Sequence, residues 1–113
     1  MESKEYKYRV NFYSNENQSV SDYLLNKDIL CIKEVVDRDF KTKILLNEVV
    51  KIKKVEVGEI RENTMYIEIH FVGQNREDKI DLFFDCKSEY TLLSNIKSLF
   101  LPIKNLYELW SLK

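Results

Sequence analysis

The chain has 113 residues and a mass of 13.6 kDa, which gives room for one domain of ordinary size and not two. Charged residues make up 33% and hydrophobic residues 44%, with Pro 1 and Gly 2, a composition that excludes a low-complexity or disordered chain. Lys+Arg 18 against Asp+Glu 19 leaves a formal charge of -1, without the global basic excess of a general nucleic-acid binder.

The N-terminal stretch MESKEYKYR is charged, and no run reaches the roughly 18 apolar residues of a membrane span, so a cytoplasmic protein is expected. Alanine is absent, whereas Ile, Val, Tyr and Phe are plentiful, which favours strands over long helices.

In chain order, Tyr6, Tyr8, Val10 and Phe12 alternate with Lys7, Arg9 and Asn11, the period of a half-buried strand over about 5–13. The polar stretch Ser14 to Ser19 reads as a hairpin connection, and a second strand is expected near Val20 to Leu25. Turns at Asn26-Lys27-Asp28 and Asp37-Arg38-Asp39 then separate strands at Ile29 to Val36 and Phe40 to Leu46, giving four successive antiparallel strands. Asn47 is placed to cap a short helical turn whose Val49, Val50 and Ile52 would plug one end of a barrel. A strand resumes over Lys53 to Val57, and Gly58 to Asn63 reads as a charged loop.

Thr64 to Val72 is the clearest strand in the chain. Met65, Ile67, Ile69 and Phe71 fall on one face, and Tyr66, Glu68 and His70 on the other. After the polar connection Gly73 to Asp78, Ile80, Leu82 and Phe84 alternate in a partner strand that completes a hairpin. The period then changes. Ser88 is an N-cap, Glu89 suits the positive end of a helix dipole, and Tyr90, Leu92, Leu93, Ile96, Leu99 and Phe100 recur at helical spacing over about 88–101. Pro102 ends this helix or opens another, and Ile103, Leu106, Tyr107 and Trp110 at i, i+3, i+4 and i+7 predict a short final helix over about 103–112.

Seven strands followed by a capped helix resemble a bacterial pleckstrin-homology-like (PH/GRAM-like) domain. Three stretches carry the likeness: Tyr23 to Leu30 as a strand-turn-strand entry, Leu46 to Ile52 through Glu59 as a strand, helical turn and strand, and Tyr66 to Phe71 through Phe84 to Glu89 as the last hairpin and its capping helix. The resemblance implies a mainly β, seven-stranded antiparallel barrel over about 5–86 within a single domain of 1–113, with Leu93, Ile96 and Phe100 of the helix plugging the open end. Pleckstrin-type domains that bind phosphoinositides hold the headgroup with bases flanking the first hairpin loop. Here that loop contains Glu16 and no base, and the preceding strand offers only Lys7 and Arg9.

The residues offer little enzyme chemistry. His70 is the only histidine, no nucleophile elbow, HExxH or glycine-rich phosphate loop occurs, and no cofactor or metal is implied. Cys31 and Cys86 match no metal-ligand spacing; packed reduced thiols are the first reading, a disulfide or reactive thiol the second. Two charged stretches remain. Arg38 to Lys54 holds Lys41, Lys43, Lys51, Lys53 and Lys54, which read either as solvated strand faces or as a face for an anionic partner, membrane lipid ahead of nucleic acid. Glu56 to Glu89 carries nine acids against four bases, a local balance of -5 that either solubilises the chain or docks on a basic protein.

At the C-terminus the apolar residues are too many for one helix stripe, so Leu106, Tyr107 and Trp110 are expected to anchor a protein partner or a second copy, or else to fold back on the barrel. The combined expectation is a non-enzymatic protein-binding module, of which a small inhibitor or immunity-type factor is one form. A peripheral binder of anionic lipid is the alternative, and neither a nucleic acid nor a small-molecule substrate is implied.

Overall fold

The computed structural model describes residues 9–10 and 18–104. The expected final helix beyond Lys104, the anchors Leu106, Tyr107 and Trp110, and most of the first strand and its loop lie outside the described residues. The elements are β1 (Arg9–Val10), α1 (Gln18–Leu24), β2 (Asp28–Cys31), β3 (Val35–Val36), β4 (Lys43–Ile44), β5 (Val49–Arg61), β6 (Thr64–Gly73), β7 (Arg76–Phe84), α2 (Glu89–Lys97) and β8 (Phe100–Ile103). The fold is mainly β, as expected, but the sheet is open. Its order is β7-β6-β5-β2-β8, with β1 paired to the far end of β5, while β3 and β4 form a separate two-stranded sheet. The closed barrel of the sequence reading is not formed among the described residues.

The long hairpin β5-β6-β7 is the frame. Met65, Ile67, Ile69 and Phe71 of β6 point inward with Ile80 and Leu82 of β7, all buried, as the period-two pattern requires. Against that face pack Val20 and Leu24 of α1, Ile44 of β4, and Leu92 and Ile96 of α2, in one continuous core. Ser88 caps α2 by accepting a hydrogen bond from the Thr91 amide, and Glu89 lies in the first turn with Lys97 in the last, both favourable to the helix dipole. Of the three residues expected to plug the core, Ile96 and Phe100 are fully buried and Leu93 is half-buried.

Other expectations are corrected: Gly58 to Arg61, expected in a charged loop, continue β5. Val20 to Leu24 is helical, because Val20 and Leu24, four residues apart, share one buried stripe while Asp22 between them is exposed. The strand expected over Ile29 to Val36 breaks after Cys31, which β5 and β8 hold from both sides: its amide donates to the Glu48 carbonyl and the Ile32 amide to that of Leu99. Only Val35–Val36 and Lys43–Ile44 remain extended beyond that break. Asn47 caps no helix; it sits at φ 69 in a tight turn closed by the Glu48 amide on the Leu45 carbonyl, and Val49, Val50 and Ile52 continue as strand.

Pro102 neither ends nor begins a helix, since Phe100 to Ile103 is a strand beside β2. The Ile32–Leu99 hydrogen bond sets the alternation of that ladder, which makes Leu30–Leu101 a bonded pair and Ile29–Pro102 a non-bonded one. The missing amide of Pro102 therefore faces away from β2 and costs that ladder nothing. Among the described residues no helix is long and apolar enough to cross a membrane.

Leu24→Ala should lower stability by about 2–5 kcal/mol in urea denaturation if α1 belongs to the core, whereas a change within about 0.5 kcal/mol would show that it does not.

Candidate functional site

The β3-β4 hairpin is tied to the sheet by side chains and a single backbone bond at its tip rather than by a ladder. At its tip the Asp37 carboxylate, buried at 7% exposure, accepts from the Asp39 amide (2.9 Å) and from the Asp81 amide on β7 (2.7 Å). The Arg38 amide donates to the Asp81 carbonyl (2.9 Å), and the Arg38 guanidinium lies 4.5 Å from the centre of the Phe83 ring. At the base, Arg76 Nη2 donates to the Lys43 carbonyl (2.9 Å) and to both Glu48 oxygens (3.1 and 3.0 Å). Glu48 Oε1 also accepts from the Leu45 amide, so one carboxylate joins the end of the hairpin to the start of β7. Gly73 leaves room for it: a Cβ there would stand 3.2 Å from Glu48 Oε2.

With both ends fixed, the outward side chains of the hairpin are presented on a rigid support. Phe40 closes the tip, its amide donating to the Asp37 carbonyl, and holds φ 59, an uncommon conformation for a bulky residue. Its side chain is 83% exposed. Ile32, Val36, Leu45 and Leu46 are exposed on the same segment, so it carries five of the seven large exposed hydrophobics among the described residues. Leu45 and Leu46, with Val49, Gln74 and Arg76, line a shallow cavity of about 740 Å³ at the base. No sequence motif marks these residues; the signal was apolar side chains in the stretch read as a strand, Phe40 to Leu46, where the structure pairs only two.

The sheet face opposite the core is polar and internally paired. Register sets Glu56, Glu68 and Asp81 side by side across β5, β6 and β7, with Lys54, His70 and Lys79 in the next row. Glu68 accepts from the Tyr66 hydroxyl (2.8 Å) and His70 Nε2 (3.0 Å), and pairs with Lys79 Nζ (3.1 Å). Burial pushes the Glu68 carboxyl up, but the Tyr66 hydroxyl, Lys79 and His70 together outweigh it and hold it below the usual carboxylate range. Asp81 goes the other way. Burial, then the neighbouring Glu68 charge, raises its carboxyl, and Oδ1 is buried with no hydrogen-bond partner among the described residues. His70 is thus held by a carboxylate that Tyr66 and Lys79 also share, and among the described residues no His, Cys, Asp and Glu cluster is shaped for a metal.

The five lysines of the basic stretch do not converge on one element: Lys41 and Lys43 belong to the hairpin, Lys51, Lys53 and Lys54 to β5. Three are matched by acids, Lys43 with Glu34 (3.6 Å), Lys51 with Asp28 (3.6 Å) and Lys54 with Glu56 (2.9 Å). A bulge between Ile52 and Lys54 makes Lys53 the unpaired residue of β5, so Lys53 and Lys54 are both exposed. Cys31 and Cys86 are free and buried; burial raises both thiols, Cys31 to about 11, so neither is a ready nucleophile at neutral pH.

Two variants check this wiring. Asp37→Ala strands the Asp39 and Asp81 amides and should cost about 1–3 kcal/mol in urea denaturation, with faster hydrogen exchange at Asp81; unchanged exchange would show that the tip is held otherwise. Asp81→Asn should raise the melting temperature at pH 7, because a carboxyl raised in the folded state opposes folding once ionised. That gain should vanish as pH falls below about 4, where the carboxyl is protonated in both states; a gain independent of pH would contradict the raised carboxyl. No protein-family model matches the chain, and comparison with curated proteins and with solved structures finds no significant match.

Proposed function

We propose that this chain is a non-enzymatic binding module that acts through protein contacts, with the β3-β4 hairpin as its docking element. The observation that carries this reading is the concentration of exposed apolar side chains on Ile32 to Leu46, a segment fixed at both ends by buried or half-buried polar groups. Side chains held in one geometry lose little further entropy on binding, so a preorganised apolar surface is suited to recognition. The aromatic ring of Phe40 is the natural anchor. The pleckstrin-homology-like assignment is part of the proposal and rests on the terminal hairpin followed by a capped helix; a small inhibitor or immunity-type factor is one concrete form of such a module. Leu106, Tyr107 and Trp110, outside the described residues, remain candidate partner contacts in addition to the hairpin.

Anionic membrane lipid is the second reading, and the observation in its favour is the bulge that exposes Lys53 and Lys54 together. The two readings separate in one experiment. A Phe40→Ser, Leu46→Ser chain should lose a stoichiometric protein captured by the unaltered chain in pull-down, while neither chain sediments with phosphatidylserine vesicles. Vesicle binding abolished by Lys51→Glu, Lys53→Glu, Lys54→Glu, with no hairpin-dependent protein capture, would replace the protein reading by the lipid one.

A further inference from the structure

Across β5, β6 and β7 the face opposite the core is polar, but at the β2-β8 end of the sheet it turns apolar. Ile29, Cys31, Val50 and Phe100 point into the core, so strand alternation directs Leu30, Val49, Leu101 and Ile103 to the opposite face. Register lines up Val49, Leu30 and Leu101 in one row across three strands, with Ile103 two residues beyond Leu101. Leu30 and Ile103 are only 6% exposed, yet neither belongs to the core cluster. Val49 and Leu101 are half-buried.

Neighbours within a sheet shield a side chain from its flanks and not from above, so this row is covered by something lying over it. The packed elements are on the wrong side: α1 with Val20 and Leu24, α2 with Leu92 and Ile96, and the hairpin with Val35 and Ile44 all contribute to the core. The exposures are those of a single chain with no partner present, which makes the cover a part of the chain itself.

Of the stretches outside the described residues, 105–113 is the one that starts at this face, one residue after Ile103 and Lys104. Its nine residues include Leu106, Tyr107, Leu109, Trp110 and Leu112. Fully extended they reach about 30 Å, against roughly 10 Å across three strands. The start of the chain enters the sheet at Arg9–Val10, opposite Gly58 and Glu59, at the other end of β5 from Val49. Residues 11–17 lead into α1, which packs on the core side.

We infer that residues 105–113 fold back over the outer face of β2 and β8 and close it with Leu106, Tyr107 and Trp110. That takes these three residues out of the partner surface of the single chain and leaves the hairpin as its docking element. The inference stands on the burial of Leu30 and Ile103 and does not depend on the docking role of the hairpin.

Trp110 is the only tryptophan, so its fluorescence reads the contact in the full chain. At about 1 µM its emission should be blue-shifted, and less quenched by acrylamide, relative to the same chain in urea, and should stay so up to about 100 µM, a span over which a modest interface would assemble. Leu101→Glu, at a half-buried position, should move the emission towards that of the unfolded chain and restore quenching with an unchanged circular dichroism spectrum; Leu101→Ser serves if the charge unfolds the chain. A native Trp110 that emits and quenches as in urea overturns the inference. So does a blue shift that develops only as concentration rises, which makes a second copy the cover, and so does native emission from a folded Leu101 variant, which places Trp110 on another surface. The hairpin reading survives each of these outcomes, because it is tested by capture of a partner and not by Trp110.

Discussion

The Asp37 carboxylate decides how the rest of the surface is arranged. The β3-β4 hairpin has only two residue pairs of its own ladder and joins the main sheet by no ladder, so a buried side chain adds to the single Arg38–Asp81 backbone bond what further pairing would otherwise provide. Asp37 does so by taking two backbone amides at once, one within its own turn and one on β7. Two backbone donors on one buried carboxylate make a directional tie, because removing the acceptor leaves both without it. The same turn forces Phe40 to a positive φ and out of the core, so structural anchor and exposed ring follow from one piece of geometry.

That tie also settles the edge of the sheet. An open sheet offers unpaired amides at its edges, and among the described residues carboxylates take the Lys79 and Asp81 amides of β7 while Pro102 has none to offer on β8. Edge-to-edge pairing along β7 is thereby impeded. The base of the hairpin follows the same design, with Arg76 and Glu48 joining the end of the hairpin to the start of β7, over a glycine whose missing side chain lets the carboxylate approach.

Charge along the sequence and charge on the surface differ for a related reason. The acidic stretch from Glu56 to Glu89 has a local excess, yet strand register sets Glu56, Glu68 and Asp81 beside Lys54, His70 and Lys79, so the excess is not displayed as one acidic surface. Asp81 bears the cost, since its neighbours in that row are acids and its carboxyl is raised, whereas Glu68 collects the hydroxyl, the histidine and the lysine. The lysines of Arg38 to Lys54 are likewise divided between two elements and largely matched by acids.

The sequence by itself determined the elements whose signal is local. The β6-β7 hairpin was legible because alternation over Thr64 to Phe84 is long and regular, and α2 because Ser88, Glu89 and the helical spacing after them agree. The short segments were not legible: six residues from Val20 to Leu25 hold too few apolar positions to tell a period of two from one of nearly four, and packing of Val20 and Leu24 on the core decided for helix. Pro102 reads as a helix signal until β2 supplies the strand beside it. The open sheet, the detached hairpin and the exposure of Phe40 were decided by tertiary structure alone. Each depends on contacts such as Asp37 with Asp81, Glu48 with Arg76 and Ile32 with Leu99, between residues tens of positions apart whose proximity no local pattern encodes.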